Sequence, residues 1–386
     1  MKFVSLPIKD HIIITPEPLA QERSGAMPIS RHSLDNAPPL NPDYIFSTEL
    51  QAQLSGKKLL LEELNFPIKM LHEHHQNGYI TYHHGVKRSG TNASILIKSG
   101  YVCGRCGNKE QRLFASFSCA RCGSDDCTYC RKCIMMGRVS ECTPLISWTG
   151  PQVQHEKVAE PLSWHGELSQ AQKAASDQVV QTIQSQGSLL VWAVCGAGKT
   201  EVLFHGIATA LKQGMKVCLA TPRTDVVLEL TPRLQTAFAG TKVISLFGGS
   251  EDRHKDGQLV IATTHQLLRY DRAFDVIIVD EVDAFPYSMD PSLQYAVNQA
   301  KKETAATVLL TATPNEQLQQ DVKQGNLSAV TIPEQTDDKS HLTEENLDLL
   351  QKDQEGDNSF WMWFTIGLAA IFVALVLFRR RKQQSS

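Results

Sequence analysis

Eight of the chain's ten cysteines fall between Cys103 and Cys142, and no other feature restricts the fold as tightly. Forty residues bury too little apolar surface to fold on that alone. What the thiols do therefore decides whether the segment folds. The first thirty residues show no basic start followed by an apolar core, as a secretory signal would. Clustered pairs in such a chain favour a metal over disulfides. The first spacing is Cys103-x2-Cys106, twelve residues, then Cys119-x2-Cys122. Two such knuckles joined by a short hairpin bring four thiolates to the tetrahedral arrangement that zinc requires. Gly107 and Gly123 each follow a pair by one residue, where a knuckle often needs a positive φ. The expectation is one structural zinc on Cys103, Cys106, Cys119 and Cys122. The second set, Cys127, Cys130, Cys133 and Cys142, either holds a second zinc or exchanges members with the first. Cys195 and Cys218 lie in apolar runs and read as ordinary buried thiols.

Charge is local. The net charge of −3 excludes a uniformly basic nucleic-acid coat, yet residues 98–138 carry eight Lys/Arg against three Asp/Glu. Tyr101, Phe114, Phe117 and Tyr129 are interleaved with those cations. Cations beside aromatic faces suit a single nucleic-acid strand; the alternative is a solvated surface over a minimal aromatic core. Residues 1–98 form an N-terminal region whose early prolines imply loops and short strands. The leucines at 59, 60, 61 and 64 extend a helical pattern over 48–77. The histidines at 72, 74, 75, 83 and 84 lack acidic or cysteine company and read as polar surface. After the cysteine module (99–143), Pro144, Pro151 and Pro161 mark a linker over 144–165.

From residue 166 to 330 the pattern alternates between helices and short apolar runs: 189–194, 217–220, 243–247, 259–262, 276–279 and 308–310. Such runs are strands of a parallel sheet covered on both faces, and the fold class is α/β. The first run enters Cys195-Gly196-Ala197-Gly198-Lys199-Thr200, followed by a helix to about Lys212. This is a Walker A loop, with Ala193 at the position of the usual first glycine. Its backbone N–H groups and the helix N-terminus suit phosphates. Lys199 would reach the β- and γ-phosphates, Thr200 would hold magnesium, and Glu201 borders the same site. The run 276–279 ends in Asp280-Glu281-Val282-Asp283. Asp280 would position magnesium, while Glu281 would orient and deprotonate the attacking water. Lys199, Asp280 and Glu281 are the candidate catalytic residues. Gln172 is placed to read an adenine edge. Thr221, Pro222 and Arg223 could grip a DNA backbone, and Thr311 and Thr313 could link the nucleotide state to DNA.

These ordered motifs are similar to those of superfamily 2 helicases, with a RecA-like P-loop domain. A four-cysteine module just before such a domain narrows the choice. The chain resembles the ComFA family of late competence ATPases over roughly residues 70–330. The runs that carry the resemblance are Cys103-Gly-Arg-Cys106-Gly107, Tyr129-Cys130-Arg131-Lys132-Cys133, Met136-Gly137-Arg138, Gly150-Pro151 and Thr264-His265-Gln266. The resemblance implies a cytoplasmic, single-stranded-DNA-dependent ATPase that uses ATP, magnesium and zinc. Its implied partners are a membrane DNA-uptake channel and other competence proteins. PriA-type replication-restart helicases are the runner-up, because their zinc cysteines interrupt the helicase domains. The family carries a second RecA-like domain with arginine fingers, whereas the α/β pattern here stops near 330. A binding protein without productive turnover is therefore the competing reading to an uptake motor.

An acidic stretch, 331–359, leads to nineteen uncharged residues, Phe360–Phe378, and then to a basic end, 379–386. Nineteen such residues span ~30 Å of hydrocarbon as a helix, and Trp361 and Trp363 sit where interfacial anchors do. The expectation is a single C-terminal transmembrane helix that places the ATPase lobe at the membrane. The positive-inside rule would put Arg379–Lys382 in the cytoplasm and the lobe outside. Either the helix inserts as a tail anchor against that rule, or the tail derives from a fusion or frameshift.

Overall fold

The structure is a computed structural model that describes residues 1–8, 11–89, 100–194 and 198–333. The N-terminal region opens with a hairpin of β1 (Phe3–Ile8) and β2 (His11–Pro16). Helix α1 (Thr48–Leu54) starts where the Ser47 hydroxyl accepts the Leu50 N–H at 3.2 Å. The helix expected to continue through the leucines does not. Gly56, backed against Ala273, intervenes, and the chain enters strand β3 (Lys58–Leu60). Helix α2 (Ile68–Gln76) and β4 (Ile80–His84) follow. Next come β5 (Val86–Ser89) paired with β6 (Gly100–Cys103), and the hairpin of β7 (Phe114–Cys119) and β8 (Ser124–Cys130). Strand β9 (Pro144–Trp148) pairs antiparallel with both β3 and β4 and so lies at the centre of a three-stranded sheet. The start of the expected linker is thus core: Leu145 and Ile146 are fully buried. Pro144 is tolerated as the first residue of the strand.

The histidines of α2 are not polar surface, while His83 and His84 are half-buried. His72, His74 and His75 are buried. His75 Nε2 accepts the Ile14 N–H at 3.2 Å, and its Nδ1 donates to the Ile80 carbonyl at 2.9 Å, tying β2 to β4. Burial pushes the His75 pKa down to about 4, so the ring is neutral and can accept. His74 Nε2 likewise accepts the Ser47 N–H at 3.0 Å.

Helix α3 (Gln170–Ser185) leads into the large sheet, made of β10 (Ser188–Ala193), β11 (Val217–Thr221), β12 (Val243–Leu246), β13 (Leu259–Thr263), β14 (Phe274–Val279), β15 (Lys301–Thr311) and β16 (Ser328–Ile332). The order is β12-β13-β11-β14-β15-β10-β16, and every pairing is parallel. The six expected strands are present. The seventh, β16, sits at the edge with most of its residues outside the core. Period-two alternation assigns the two faces. Leu219, Ile261, Val276 and Ile278 pack with α3, α4 (Lys199–Lys212) and α5 (Thr224–Ala237). Cys218, Ala220, Val260, Ala262, Ile277 and Val279 pack on the other side with α6 (Pro291–Ala300) and with Cys103, Cys106, Cys130 and Cys133. The cysteine module therefore helps to cover one face of the sheet, and Cys218 is a buried thiol, as expected. No helix among the described residues is long and apolar enough to cross a membrane. Phe360–Phe378 lies outside the described residues.

Candidate metal and nucleotide sites

The cysteines form two tetrads: not Cys103, Cys106, Cys119 and Cys122 together, but the alternative in which the two sets exchange members. Cys103, Cys106, Cys130 and Cys133 come together, and so do Cys119, Cys122, Cys127 and Cys142. The β7–β8 hairpin explains the correction. The second knuckle turns at its tip, and β8 carries the chain back so that Cys130 pairs with Phe114 at its base. Cys127 and Cys130 are three apart on one strand and so point to opposite faces. One joins each tetrad. All eight thiols are buried and free of disulfides. Within each tetrad the sulfurs lie within 4.8 Å of one another. The pairs Cys103–Cys133, Cys106–Cys130 and Cys119–Cys142 stand at 3.7 Å. A regular tetrahedron with metal–sulfur bonds of ~2.3 Å has edges of about 3.8 Å, so both donor sets fit zinc. Gly107 and Gly123 adopt φ of 67° and 65°, as the knuckle spacing anticipates.

The aromatics of this module are already engaged. Tyr101 packs on Phe114 with centroids 5.7 Å apart, and Phe117 packs edge-on against Tyr129 at 5.6 Å. The Arg138 guanidinium lies 4.6 Å over Phe117, and that of Arg88 lies 5.3 Å over Tyr101.

Because all strands of the sheet run the same way, the segments after β10, β11, β13, β14 and β15 emerge at one edge. That edge is where α/β sheets bind ligands. Lys199 opens the fourteen-residue helix α4, and Thr200 follows in its first turn. Gly198 caps it at φ 67°, and a Cβ there would fall 2.5 Å from Gln172 Nε2. The left-handed φ is what requires glycine, since the Gln172 amide end could shift aside. Gln172 Oε1 accepts the Ser169 N–H at 2.8 Å in a capping box, which holds this side chain beside Gly198. Glu201 is taken up by Arg233 of α5 at 2.5 Å. Cys195, Gly196 and Ala197 lie outside the described residues.

Across the edge, the Asp280 N–H donates to the Ala220 carbonyl at 2.8 Å, and its Oδ1 accepts the Glu281 N–H at 2.8 Å. Burial lifts the Asp280 carboxyl above the usual range, against the pull of Lys199. Glu281 adopts φ 52°, a left-handed conformation that is costly for a residue with a Cβ and concentrates at functional sites. Burial raises its carboxyl too, while Arg223 opposes the rise; Arg223 Nη1 is 3.4 Å from Glu281 Oε1. Asp283 accepts from Thr311 Oγ1 at 2.6 Å and from Thr313 Oγ1 at 2.5 Å. Burial pushes the Asp283 carboxyl up, but these two donors outweigh it and hold the group low. Thr221, Pro222 and Arg223 leave β11 at the same edge. The described candidate residues that sequence spacing spreads over about 140 positions, Gln172 to Thr313, are thus gathered here.

Residues 40–147 match the Competence protein ComFA N-terminal domain, and residues 165–316 match the domain described as Type III restriction enzyme, res subunit. The chain carries a ComFA N-terminal domain followed by a helicase-like domain. It is 47% identical over 295 residues to Competence protein ComFA of Bacillus subtilis (strain 168), covering 76% of this chain and 61% of that protein. Identity to Competence protein ComFA of Streptococcus pneumoniae (strain ATCC BAA-255 / R6) is 42% over 205 residues, covering 53% of this chain and 46% of that protein. Replication restart protein PriA of Rickettsia felis (strain ATCC VR-1525 / URRWXCal2) is 26% identical over 183 residues, covering 43% and 27% respectively. The chain thus spans about half to three fifths of the length of the ComFA proteins it matches. The ComFA N-terminal domain runs through most of β9, in keeping with that strand's place beside β3 and β4.

Three contributors carry no local signal in the sequence. Glu63 is one of two adjacent acids in a leucine run, and Arg105 and Arg269 look like ordinary surface cations. Yet the three form one buried ion cluster.

Proposed function

We propose that this chain is the ATP-binding lobe of a DNA-uptake ATPase that responds to single-stranded DNA on the cytoplasmic side of the membrane. The observation that carries the reading is the pair of links across the sheet edge. Arg223, a candidate DNA residue, touches the candidate base Glu281 at 3.4 Å. Thr311 and Thr313 hold Asp283 of the same acidic turn at 2.6 and 2.5 Å. A strand gripped at Thr221–Arg223 would draw on the arginine that now opposes Glu281. That change alters the carboxylate meant to act on water. Gln172 would meet the adenine. Residues 195–200 would surround the phosphates, with Lys199 opposing their charge. Thr200 and Asp280 would hold magnesium, which supplies charge neutralisation at the phosphates. Glu281, lifted by burial and left with Oε2 unbonded among the described residues, is suited to accept a proton from water. The two tetrads would each hold a structural zinc. A membrane channel and other competence proteins are the partners this reading implies, in line with the named competence relatives.

Steady-state ATP hydrolysis by the full chain, with and without single-stranded DNA, tests the reading. Stimulation by the strand is the expected result. Binding of ATP and DNA with no stimulation would favour a non-motor binding protein. Failure to bind either would sink the proposal.

A further inference from the structure

Both cysteine knuckles share one pattern, Cys103-Gly-Arg105-Cys106 and Cys119-Ala-Arg121-Cys122. Their arginines reach adjacent acids: Arg105 pairs with Glu63, and Arg121 with Glu62. The two pairs differ in burial. Arg121 and Glu62 side chains are 60% and 43% exposed, so water screens them. Those of Arg105 and Glu63 are 0% and 9% exposed. Glu63 receives Arg105 Nη2 at 2.9 and 3.1 Å and Arg269 Nε at 2.6 Å. The Leu60 N–H donates to Glu63 Oε2 at 2.9 Å, the oxygen that Arg105 also reaches at 3.1 Å. Arg105 Nη1 also donates to the Met136 carbonyl at 2.9 Å, just past Cys133. Both halves of the first tetrad therefore hold this one side chain. Arg269 ends the helical turn Thr264–Arg269 that leaves β13, and its Nη1 donates to Gln266 Oε1 at 2.5 Å. That turn lies on the edge where the DNA-facing segments gather.

We propose that Glu63 is a positioning residue that ties the metal-closed first knuckle to the Thr264–Arg269 turn on the DNA edge. The path runs from Cys103 and Cys106 through the enclosed Arg105 to Glu63, Arg269 and Gln266. It joins three segments that are remote in sequence. Among the described residues, the arginine of the second tetrad's knuckle has only the screened pair with Glu62. A buried carboxylate between two guanidiniums cannot be removed without leaving like charges facing each other. Loss of Glu63 therefore frees the turn rather than letting it repack. The role in DNA binding rests on the proposed function; the mechanical link does not.

The test uses the full chain loaded with zinc, with amide hydrogen exchange as the first readout. Glu63→Gln and Cys106→Ser should speed exchange across residues 264–270 by about tenfold or more, whereas Cys127→Ser should leave it within about twofold. Glu63→Gln should keep about two zinc ions per chain. It should also weaken single-stranded DNA binding by about tenfold with ATP affinity unchanged. Arg105→Lys keeps the charge but loses the fork, and it should give the same pattern more mildly if Glu63→Gln fails to fold. Unchanged exchange in 264–270, or an equal effect of Cys127→Ser, overturns the link. Equal losses of DNA and ATP binding in Glu63→Gln mean general loosening and overturn it too. A wild-type chain that binds no strand defeats the functional reading, and the exchange comparison then decides this one alone.

Discussion

The helicase-like lobe and the cysteine module are held together by different forces. In the lobe, both faces of a seven-stranded sheet are buried under apolar side chains. In the module, the second tetrad is a buried cluster with only Phe117, itself half-buried, packed against it. The first tetrad borrows the lobe's apolar face. Burial at ~25 cal/mol per Å² folds the lobe; the module has too little of it and depends on coordination. Structural zinc in small modules contributes ~10–16 kcal/mol, as much as a whole domain's stability of ~5–15 kcal/mol. Chelation should therefore have the largest effect of any single perturbation. Residues 100–142 should lose exchange protection and become open to protease, while β10, β11, β13, β14 and β15 keep theirs. Only the Thr264–Arg269 rim should loosen with the module. Simultaneous loss of the central strands would break the comparison, because it would make the metal part of the lobe's own stability.

The same contrast explains what the sequence made legible. The lobe's motifs are local: a strand, a loop and a helix are contiguous, so Gly198, Lys199, Asp280 and Glu281 could be placed without knowing the sheet order. The six apolar strands were visible for the same reason, and β16 was not, because an edge strand such as Ser328–Ile332 has no continuous apolar run. The tetrads are non-local. Nothing in the spacing says that β8 sends Cys127 and Cys130 to opposite faces and returns Cys130 to the first knuckle. Leu59 and Leu60 read as helix because their partner, β9, lies more than eighty residues away. The histidines of α2 read as surface because their partners are backbone groups such as Ile14 N–H, which composition does not reveal. Glu63 had no signal at all.

If chemistry belongs wholly to the lobe, it can be removed without touching the module. Glu281→Gln should lower hydrolysis by ~10²–10⁴-fold, the usual range for losing a general base, with ATP affinity kept. Lys199→Ala should weaken ATP binding by roughly 10–100-fold, the worth of a charge-assisted hydrogen bond. Both variants should retain the zinc content of the parent, measured by metal analysis beside the kinetics. A fall in zinc content in either would show that the site and the module fold as one.

The smallest effect expected tests whether the lobe's own polar contacts matter to its stability. Thr311 is fully buried, and its hydroxyl both donates to Asp283 at 2.6 Å and accepts the Thr313 N–H at 3.0 Å. Thr311→Val keeps the shape and removes both bonds, at a cost of about 1 kcal/mol, since Asp283 is only partly buried. The pH dependence fixes the cause. Asp283 is held below the ordinary carboxylate range, so its stabilising contribution is complete above the unfolded value of about 3.9 and is lost as pH falls through the lowered folded value. Without the Thr311 donor the folded value moves back up, and that share of the stabilisation disappears. Urea unfolding should then show the wild-type advantage at pH near 7 and a smaller one at pH near 3. An equal difference at both pH values would assign the cost to the broken Thr313 contact instead of the carboxylate, and the hydroxyl link to the acidic turn would be a packing feature of the lobe.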